Sequence, residues 1–235
     1  MRRTLLLFDI DGTLLLTDGA GMRAMAAAAR RLFGEAFRWE GIAPGGSLDP
    51  LIFAEAAVLN GMGDAGDHHD RFREHYLEQL PVELAASGDR LRVMPGVPAL
   101  LEALRRRRDE RDDVVLGLLT GNYGRGATVK LEHVGIDPAW FTLTAFGDEA
   151  PTRPQLVAVA MRKYEAQTGE PADPRRVIVI GDTERDIDCA RANGCVAFAV
   201  ATGPTPIDSL RGARPDVLVP DLADPSPLLA LLDGQ

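Results

Sequence analysis

Short apolar runs alternate along this chain with segments of helical periodicity. Four runs have the length and apolar content of strands that are buried on both faces, and they lie at 4–8, 114–120, 177–181 and 195–200. The segments with helical periodicity lie at 95–107, 124–135, 154–167 and 184–194. Alternation of this kind is typical of a parallel sheet covered by helices on both faces. We therefore predict an α/β fold with a three-layer, Rossmann-like core.

The stretch from 16 to 89 interrupts this alternation. It contains three successive amphipathic segments and no strand pattern between them. An all-helical insertion after the first strand is predicted to lie over the strand ends as a cap. The predicted domains are a core formed by 1–15 and 90–235, and a helical cap formed by 16–89.

Composition narrows the class of protein. The chain has 235 residues, of which 46% are hydrophobic, enough for a core domain with a smaller insertion. Its formal net charge of −9 argues against a nucleic-acid partner, and the one basic run, 105–113, is interpreted as a solvated helix end.

Segment length and cysteine usage predict the location. No run approaches the roughly 20 apolar residues of a membrane helix, so no membrane partner is expected. The N-terminal run leads into aspartates and is interpreted as a strand, not as a signal peptide. Two cysteines are too few for a disulfide framework. We expect a cytoplasmic protein, monomeric or homodimeric.

Acidic residues follow the first and third of these strands. Asp9 and Asp11 end the first, and Asp182 and Asp186 follow the run at 177–181. Because functional groups gather at the carboxyl ends of parallel strands, these side chains are expected to meet. Converging carboxylates repel one another unless a cation lies among them, and hard oxygen ligands favour Mg²⁺.

Such a site suits phosphoryl transfer. One carboxylate attacks phosphorus while a second protonates the leaving oxygen. Donors to the phosphoryl oxygens are also needed. The Thr120 hydroxyl and the backbone N–H groups of Gly121 and Asn122, at the end of the second strand, are predicted to supply them.

Three motifs occur in a characteristic order: "FDIDGTL" from position 8, "LLTGN" from 118 and "VIVIGDTERDI" from 177. Together they resemble the haloacid dehalogenase superfamily, in particular its phosphoglycolate phosphatase-like branch, which has a helical cap after the first strand. The resemblance extends over nearly the whole chain.

The resemblance implies a role for each matching residue. Asp9 is expected to be the nucleophile that forms an aspartyl-phosphate. Asp11 is expected to act as general acid and then base, with its backbone carbonyl on Mg²⁺. Thr120 matches the hydroxyl that holds the phosphoryl group. Asp182 matches the metal-binding carboxylate, and Asp186 is either a second ligand or an outer-shell acid.

One position departs from the family pattern. The family usually has a Lys-Pro pair whose cation screens the nucleophile and the phosphate, whereas this chain has Arg153-Pro154 after "AFGDEAPT". We predict that Arg153 supplies this cation, with Lys130 as the alternative.

The insertion is expected to select the substrate. Ser47, in the segment "PGGSLDPLIF", is a candidate substrate contact, and Asp49 is predicted mainly to cap the following helix. His68, His69 and His75 lack a zinc-ligand pattern and are expected to be solvated.

The sequence therefore predicts a Mg²⁺-dependent phosphomonoesterase that hydrolyses a small phosphorylated metabolite, phosphoglycolate-like by resemblance. A β-phosphoglucomutase-like mutase, a pyrophosphatase and a nucleotidase share the same core and stay open as alternatives. A non-catalytic metabolite-binding relative is the alternative from another class.

Overall fold

The computed structural model describes residues 3–63 and 65–234. The strands are β1 Thr4–Phe8, β2 Leu15–Leu16, β3 Arg92–Val93, β4 Val114–Leu119, β5 Leu143–Ala145, β6 Val177–Gly181, β7 Val196–Val200 and β8 Val217–Val219. The helices are α1 Ala20–Phe33, α2 Asp49–Leu59, α3 Gly66–Ser87, α4 Val97–Arg111, α5 Gly124–His133, α6 Arg153–Thr168, α7 Glu184–Ala192, α8 Ile207–Gly212 and α9 Ser226–Asp233.

Six strands form one parallel sheet in the order β5-β4-β1-β6-β7-β8. This confirms the predicted α/β class. The strands β5 and β8 at the two edges were not predicted; each has three residues, too few for a periodic pattern to stand out.

The side chains of β1 explain why this sheet has helices on both faces. Leu6 and Phe8 pack into one hydrophobic cluster, and Leu5 and Leu7 pack into another. Because alternate residues of a strand point to opposite faces, an uninterrupted apolar run supplies two cores at once. The central strand is therefore buried completely, and its carboxyl end points toward the inserted helices.

The inserted segment forms three helices, α1 to α3, with a hydrophobic cluster of their own. Along α3, buried side chains recur every fourth residue, at Phe72, Tyr76, Leu80 and Leu84. This spacing gives one apolar helix face, which packs mainly against α1. The helices lie where the cap was expected, and the exact domain boundaries stay a prediction.

Two expectations about polar side chains hold only in part. His69 is not simply solvated, because its ring stacks on Phe53 and its Nε2 lies 2.8 Å from the Tyr123 hydroxyl. In the basic run, Arg107 is largely buried between Asp113 and Asp233, so this part of the helix end is an ion-pair network. Among the described residues, no helix is long and apolar enough to cross a membrane.

Replacement of Gly96 by alanine tests how closely the chain is packed before α4. It has φ +80°, and a Cβ at this position would overlap the backbone of Leu222. Gly135 is a matched control, since its φ is +77° and no atom lies within 4 Å of the added carbon. We expect Gly135→Ala to lower the free energy of unfolding by about 1 kcal/mol, the cost of a positive φ.

Gly96→Ala is expected to cost at least twice as much, because backbone overlap adds to the positive φ. Urea unfolding of the two variants beside the wild type measures this difference. Equal losses in the two variants would show that the chain around Leu222 relaxes freely.

Candidate active site

Three buried carboxylates meet at the carboxyl end of the sheet. Asp9 follows β1, Asp182 follows β6, and Asp186 lies in the first turn of α7. Carboxylate oxygens of these three residues lie within 4.8 Å of one another. Three of the four carboxylates that were expected to meet therefore do so in the structure, whereas Asp11 does not belong to the cluster.

Asp182 has a vacant carboxylate oxygen in a confined space. Its Oδ1 accepts a hydrogen bond of 3.1 Å from the Thr13 hydroxyl, while its Oδ2 is buried and has no partner among the described residues. Side chains at Gly12 and Gly203 would overlap this carboxylate, so two glycines let the backbone pass close to it. An unpaired oxygen beside two further carboxylates is a hard donor set that fits Mg²⁺.

Arg153, at the start of α6, neutralises part of this acidic cluster. Its Nη2 donates to Asp186 Oδ1 at 2.6 Å and lies 3.2 Å from Asp9 Oδ2. Its Nη1 donates to the backbone carbonyl of Gly46 at 3.2 Å. The cation predicted beside the nucleophile is thus placed beside Asp9, and it also reaches the inserted segment.

Burial determines the protonation of these acids in the absence of a divalent ion. Burial raises the pKa of Asp9 to about 6, although the charge of Arg153 opposes this shift. Burial raises the pKa of Asp182 to about 8, and the neighbouring Asp9 and Asp186 add to the shift. A divalent cation would favour the ionised forms, so its binding is expected to release protons.

Asp186 has both oxygens occupied. Arg153 binds Oδ1, and the backbone N–H and hydroxyl of Thr183 donate to Oδ2 at 3.1 and 2.7 Å. These contacts with Thr183 form a capping box at the start of α7. Asp186 therefore holds the arginine and begins the helix.

Asp11 points away from the three clustered acids toward a second cation. Its Oδ2 accepts hydrogen bonds from Lys130 Nζ at 2.6 Å and Asn122 Nδ2 at 2.8 Å, and its Oδ1 accepts one from Thr17 at 3.3 Å. Burial alone would raise the pKa of Asp11, but the charge of Lys130 and the hydrogen bonds from Lys130, Asn122 and Thr17 together outweigh burial, and the pKa is lowered. The two aspartates of the first motif thus have different environments.

The second motif supplies Thr120 and Asn122, and Asn122 bonds to Thr120, Asp11 and Lys130. The Thr120 hydroxyl is fully buried and accepts a 2.7 Å hydrogen bond from Asn122 Nδ2. The Asn122 backbone N–H also points to this hydroxyl, at 3.4 Å, and its Oδ1 accepts from Lys130 at 2.5 Å. The side chain of Asn122 therefore connects Thr120 to Asp11, a role that the sequence did not indicate.

The segment before α2 lies against the second motif. The Asp49 backbone N–H donates to the Gly121 carbonyl at 2.7 Å, and the Asp49 carboxylate accepts from the Tyr123 N–H at 2.9 Å. A side chain at Gly121 would overlap the Ser47 carbonyl. The prediction that Asp49 caps its own helix was wrong, because its carboxylate bonds across to α5 instead.

A cavity of about 260 Å³ lies between the inserted helices and the strand ends. Asp9, Asp11, Thr120, Asp182 and Arg153 line one side of it. The predicted substrate contacts Ser47, Gly121 and Asn122 also line it, together with Asp49, Lys130, Met22, Met25, Ile52 and Tyr76. Asp186 contacts this set through Arg153.

Comparison with known proteins agrees with this geometry. The family model of haloacid dehalogenase-like hydrolases matches residues 6–191, which include all three motifs. This chain belongs to the haloacid dehalogenase-like hydrolase family. The resemblance seen in the motifs is confirmed.

Two curated relatives of this hydrolase are both named phosphoglycolate phosphatase. The one from Mesorhizobium japonicum is 27% identical over 216 residues, which cover 87% of this chain and 86% of the relative. The one from Vibrio parahaemolyticus is 27% identical over 228 residues, covering 94% and 93%. Among solved structures, CbbY from Rhodobacter sphaeroides superposes with a TM-score of 0.71 at 18% identity, covering 99% of this chain and all of that one, which supports the fold.

Several residues at the hydrolase's cavity had no recognisable signal in the sequence. Tyr76 belongs to the apolar stripe of α3, where an aromatic residue indicates only a buried core position. Thr17 follows the first motif without a pattern of its own. Their positions at the cavity result from how the inserted helices pack on the core.

Direct metal binding tests the acidic cluster without relying on turnover. We expect Asp182→Asn to weaken Mg²⁺ or Mn²⁺ binding by roughly 10- to 100-fold, because it removes the charge of the carboxylate with the free oxygen. Isothermal titration calorimetry measures the affinity. Asp208→Asn, at an exposed site on α8, is the matched control and should bind like the wild type. Unchanged affinity in Asp182→Asn would exclude this carboxylate as a ligand.

The free energy of unfolding of the hydrolase is expected to depend on pH through the titration of Asp49. Burial raises the pKa of Asp49 to about 7, with Lys130 and the Tyr123 N–H opposing the shift. Because the folded-state value lies above the ordinary value near 4, the stabilisation is complete below pH 4 and is lost as the pH rises through 7.

Asp49→Asn removes this titration. We expect the melting temperature of the wild type, relative to that of Asp49→Asn, to fall between pH 5 and pH 8 with saturating Mg²⁺ present. Thermal unfolding followed by circular dichroism at four pH values measures the difference. A constant difference over this range would place the Asp49 pKa outside it.

Proposed function

We propose that this hydrolase is a Mg²⁺-dependent phosphomonoesterase that acts on a small phosphorylated metabolite through an aspartyl-phosphate. The observation that supports this most strongly is the division of the two motif aspartates. Asp9 lies 3.2 Å from Arg153 in the metal-ligating cluster, whereas Asp11 binds Lys130 at 2.6 Å. Two carboxylates in contrasting environments are what a nucleophile and a general acid need.

In the first step, Asp9 attacks the phosphorus atom and the bond from phosphorus to the ester oxygen breaks. The Arg153 guanidinium, with its Nη2 beside Asp9, is positioned to bind a phosphoryl oxygen as negative charge develops there. The Thr120 hydroxyl, buried at the end of β4, is proposed to donate to the same group.

Asp11 is proposed to give a proton to the departing alcohol oxygen. In the free protein, burial raises the pKa of this carboxyl, but the charge of Lys130 and the hydrogen bonds to Asp11 together lower it further than burial raises it. A dianionic phosphoryl group beside it acts in the opposite direction, because like charges disfavour the ionised form. Asp11 then removes a proton from the water that attacks the aspartyl-phosphate, which regenerates Asp9 and releases phosphate.

Asp9 and Asp182 are proposed as side-chain ligands of Mg²⁺, with the Asp11 backbone carbonyl as a further ligand. The ion would offset charge repulsion between the carboxylates and the phosphate. Asp186 is proposed to act in the outer shell, because Arg153 and Thr183 occupy its oxygens.

The curated names suggest the first compound to test. Phosphoglycolate is the substrate in the names of the two relatives described above. The α1 to α3 insertion is proposed to act as the cap that selects the leaving group, with Ser47 at its contact with the core.

Replacement of the proposed nucleophile tests the reaction. We expect Asp9→Asn to lower phosphate release from p-nitrophenyl phosphate with Mg²⁺ by about 10³-fold or more. Asp208→Asn serves as the control and should retain wild-type turnover. Turnover of Asp9→Asn at the wild-type rate would remove Asp9 from this role. Release of free phosphate by the wild type also separates a phosphatase from a mutase.

A further inference from the structure

The part of the cavity beyond Asp11 is lined by the polar side chains of Asp49, Tyr76 and Lys130. Both Asp49 and Tyr76 lie close enough to Asp11 for its charge to raise their pKa, in addition to the larger effect of burial. Since Asp11 is the proposed proton donor to the leaving oxygen, these residues lie on the leaving-group side of the site. Met22, Met25 and Ile52 form the apolar wall around them.

Tyr76 has a hydroxyl group that is available to a ligand. The residue is 0% exposed and lines the cavity, and among the described residues its hydroxyl makes no well-formed hydrogen bond; only a weak contact with the Asp49 carboxylate helps burial to raise its pKa. A buried hydroxyl without a partner costs free energy, so an occupant that bonds to it gains affinity. This is the observation that points to a polar ligand group.

Lys130 supplies a second polar contact to the same space. An ammonium group has three N–H donors, and here two of them bond to Asp11 and Asn122. Lys130 and Tyr76 face the same small space next to Gly21. A Cβ added to Gly21 would lie 3.5 Å from the Lys130 Nζ and 3.9 Å from the Tyr76 hydroxyl oxygen. An occupant between them must therefore accept a hydrogen bond.

Charge restricts this occupant further. Asp9, Asp11, Asp49 and Asp182 line the cavity, and its two cations, Lys130 and Arg153, already pair with carboxylates. A carboxylate on the leaving group could reach Lys130, but Asp11 already offsets that charge, and Asp49 adds a further negative charge above pH 7. An ammonium group would lie beside Lys130 and could not accept a hydrogen bond from it.

The occupant must accept a hydrogen bond and must not add charge. A hydroxyl group meets both requirements, because it is neutral and both donates and accepts hydrogen bonds. We propose that Asp49 and Tyr76, with Lys130, form a leaving-group subsite that binds a hydroxyl group of an uncharged alcohol. The natural substrate is then a small hydroxyl-bearing phosphate ester, and a carboxylated ester such as phosphoglycolate is bound less well. This proposal rests on the proposed function.

Four phosphate esters of nearly equal size separate the possibilities. Ethyl phosphate lacks the second polar group, 2-hydroxyethyl phosphate has a hydroxyl, phosphoglycolate has a carboxylate, and 2-aminoethyl phosphate has an ammonium group. We expect the wild type with Mg²⁺ to show the highest kcat/KM for 2-hydroxyethyl phosphate, by about tenfold over each of the others. A preference for phosphoglycolate or 2-aminoethyl phosphate would overturn the proposal.

Variants assign this preference to particular atoms. Tyr76→Phe should lower kcat/KM for 2-hydroxyethyl phosphate by about tenfold more than it lowers kcat/KM for ethyl phosphate. Asp49→Asn should narrow the gap between phosphoglycolate and 2-hydroxyethyl phosphate, because it removes a negative charge. Tyr164→Phe, whose hydroxyl bonds to the Arg3 carbonyl outside the cavity, is the matched control and should keep wild-type ratios.

Equal losses with all esters in Tyr76→Phe would mean a structural role and would contradict the subsite. Turnover of p-nitrophenyl phosphate distinguishes this failure from a failure of the proposed function. A wild-type protein that hydrolyses p-nitrophenyl phosphate without the predicted ranking refutes the subsite alone. A wild-type protein that hydrolyses none of these esters refutes the phosphatase as well.

Discussion

The site depends on compensation of buried negative charge. Asp9, Asp182 and Asp186 lie together where water has little access, and burial of ionised carboxylates is costly unless opposite charge is close. Arg153 provides one such charge, and its planar fork reaches Asp9, Asp186 and the Gly46 carbonyl simultaneously. A lysine ammonium is a compact point charge and lacks this planar fork. The arginine in place of the usual lysine therefore also connects Asp9 to the inserted segment.

A second ion pair gives Asp11, the proposed general acid, an environment distinct from that of Asp9, the proposed nucleophile. Lys130 binds Asp11, two residues from Asp9 along the chain, and Asn122 bonds to both members of this pair. The two aspartates of one short motif consequently have pKa values shifted in opposite directions. The same arrangement uses two N–H donors of Lys130 on the protein itself, which affects what the leaving-group side of the cavity can bind.

Backbone contacts connect the inserted helices to the core. A side chain on Gly121 would overlap the Ser47 carbonyl, and a side chain on Gly147 would overlap the backbone of Gly121. Asp49 adds two hydrogen bonds across the same junction, one through its N–H and one through its carboxylate. These contacts hold Asp49, which lines the cavity, against the segment that carries Thr120 and Asn122.

The sequence by itself determined the α/β class, the central strands and the acidic residues that meet at the strand ends. These features rest on local periodicity and on motif order, both of which can be read along the chain. The tertiary structure decided the partners: Arg153 beside Asp9, Lys130 beside Asp11, and Tyr76 at the cavity. It also decided the three-residue edge strands, which are too short for a periodic signal. The physical reason is that a cation in a helix or a tyrosine in an apolar stripe has the same local pattern whether it faces a core, solvent or a substrate.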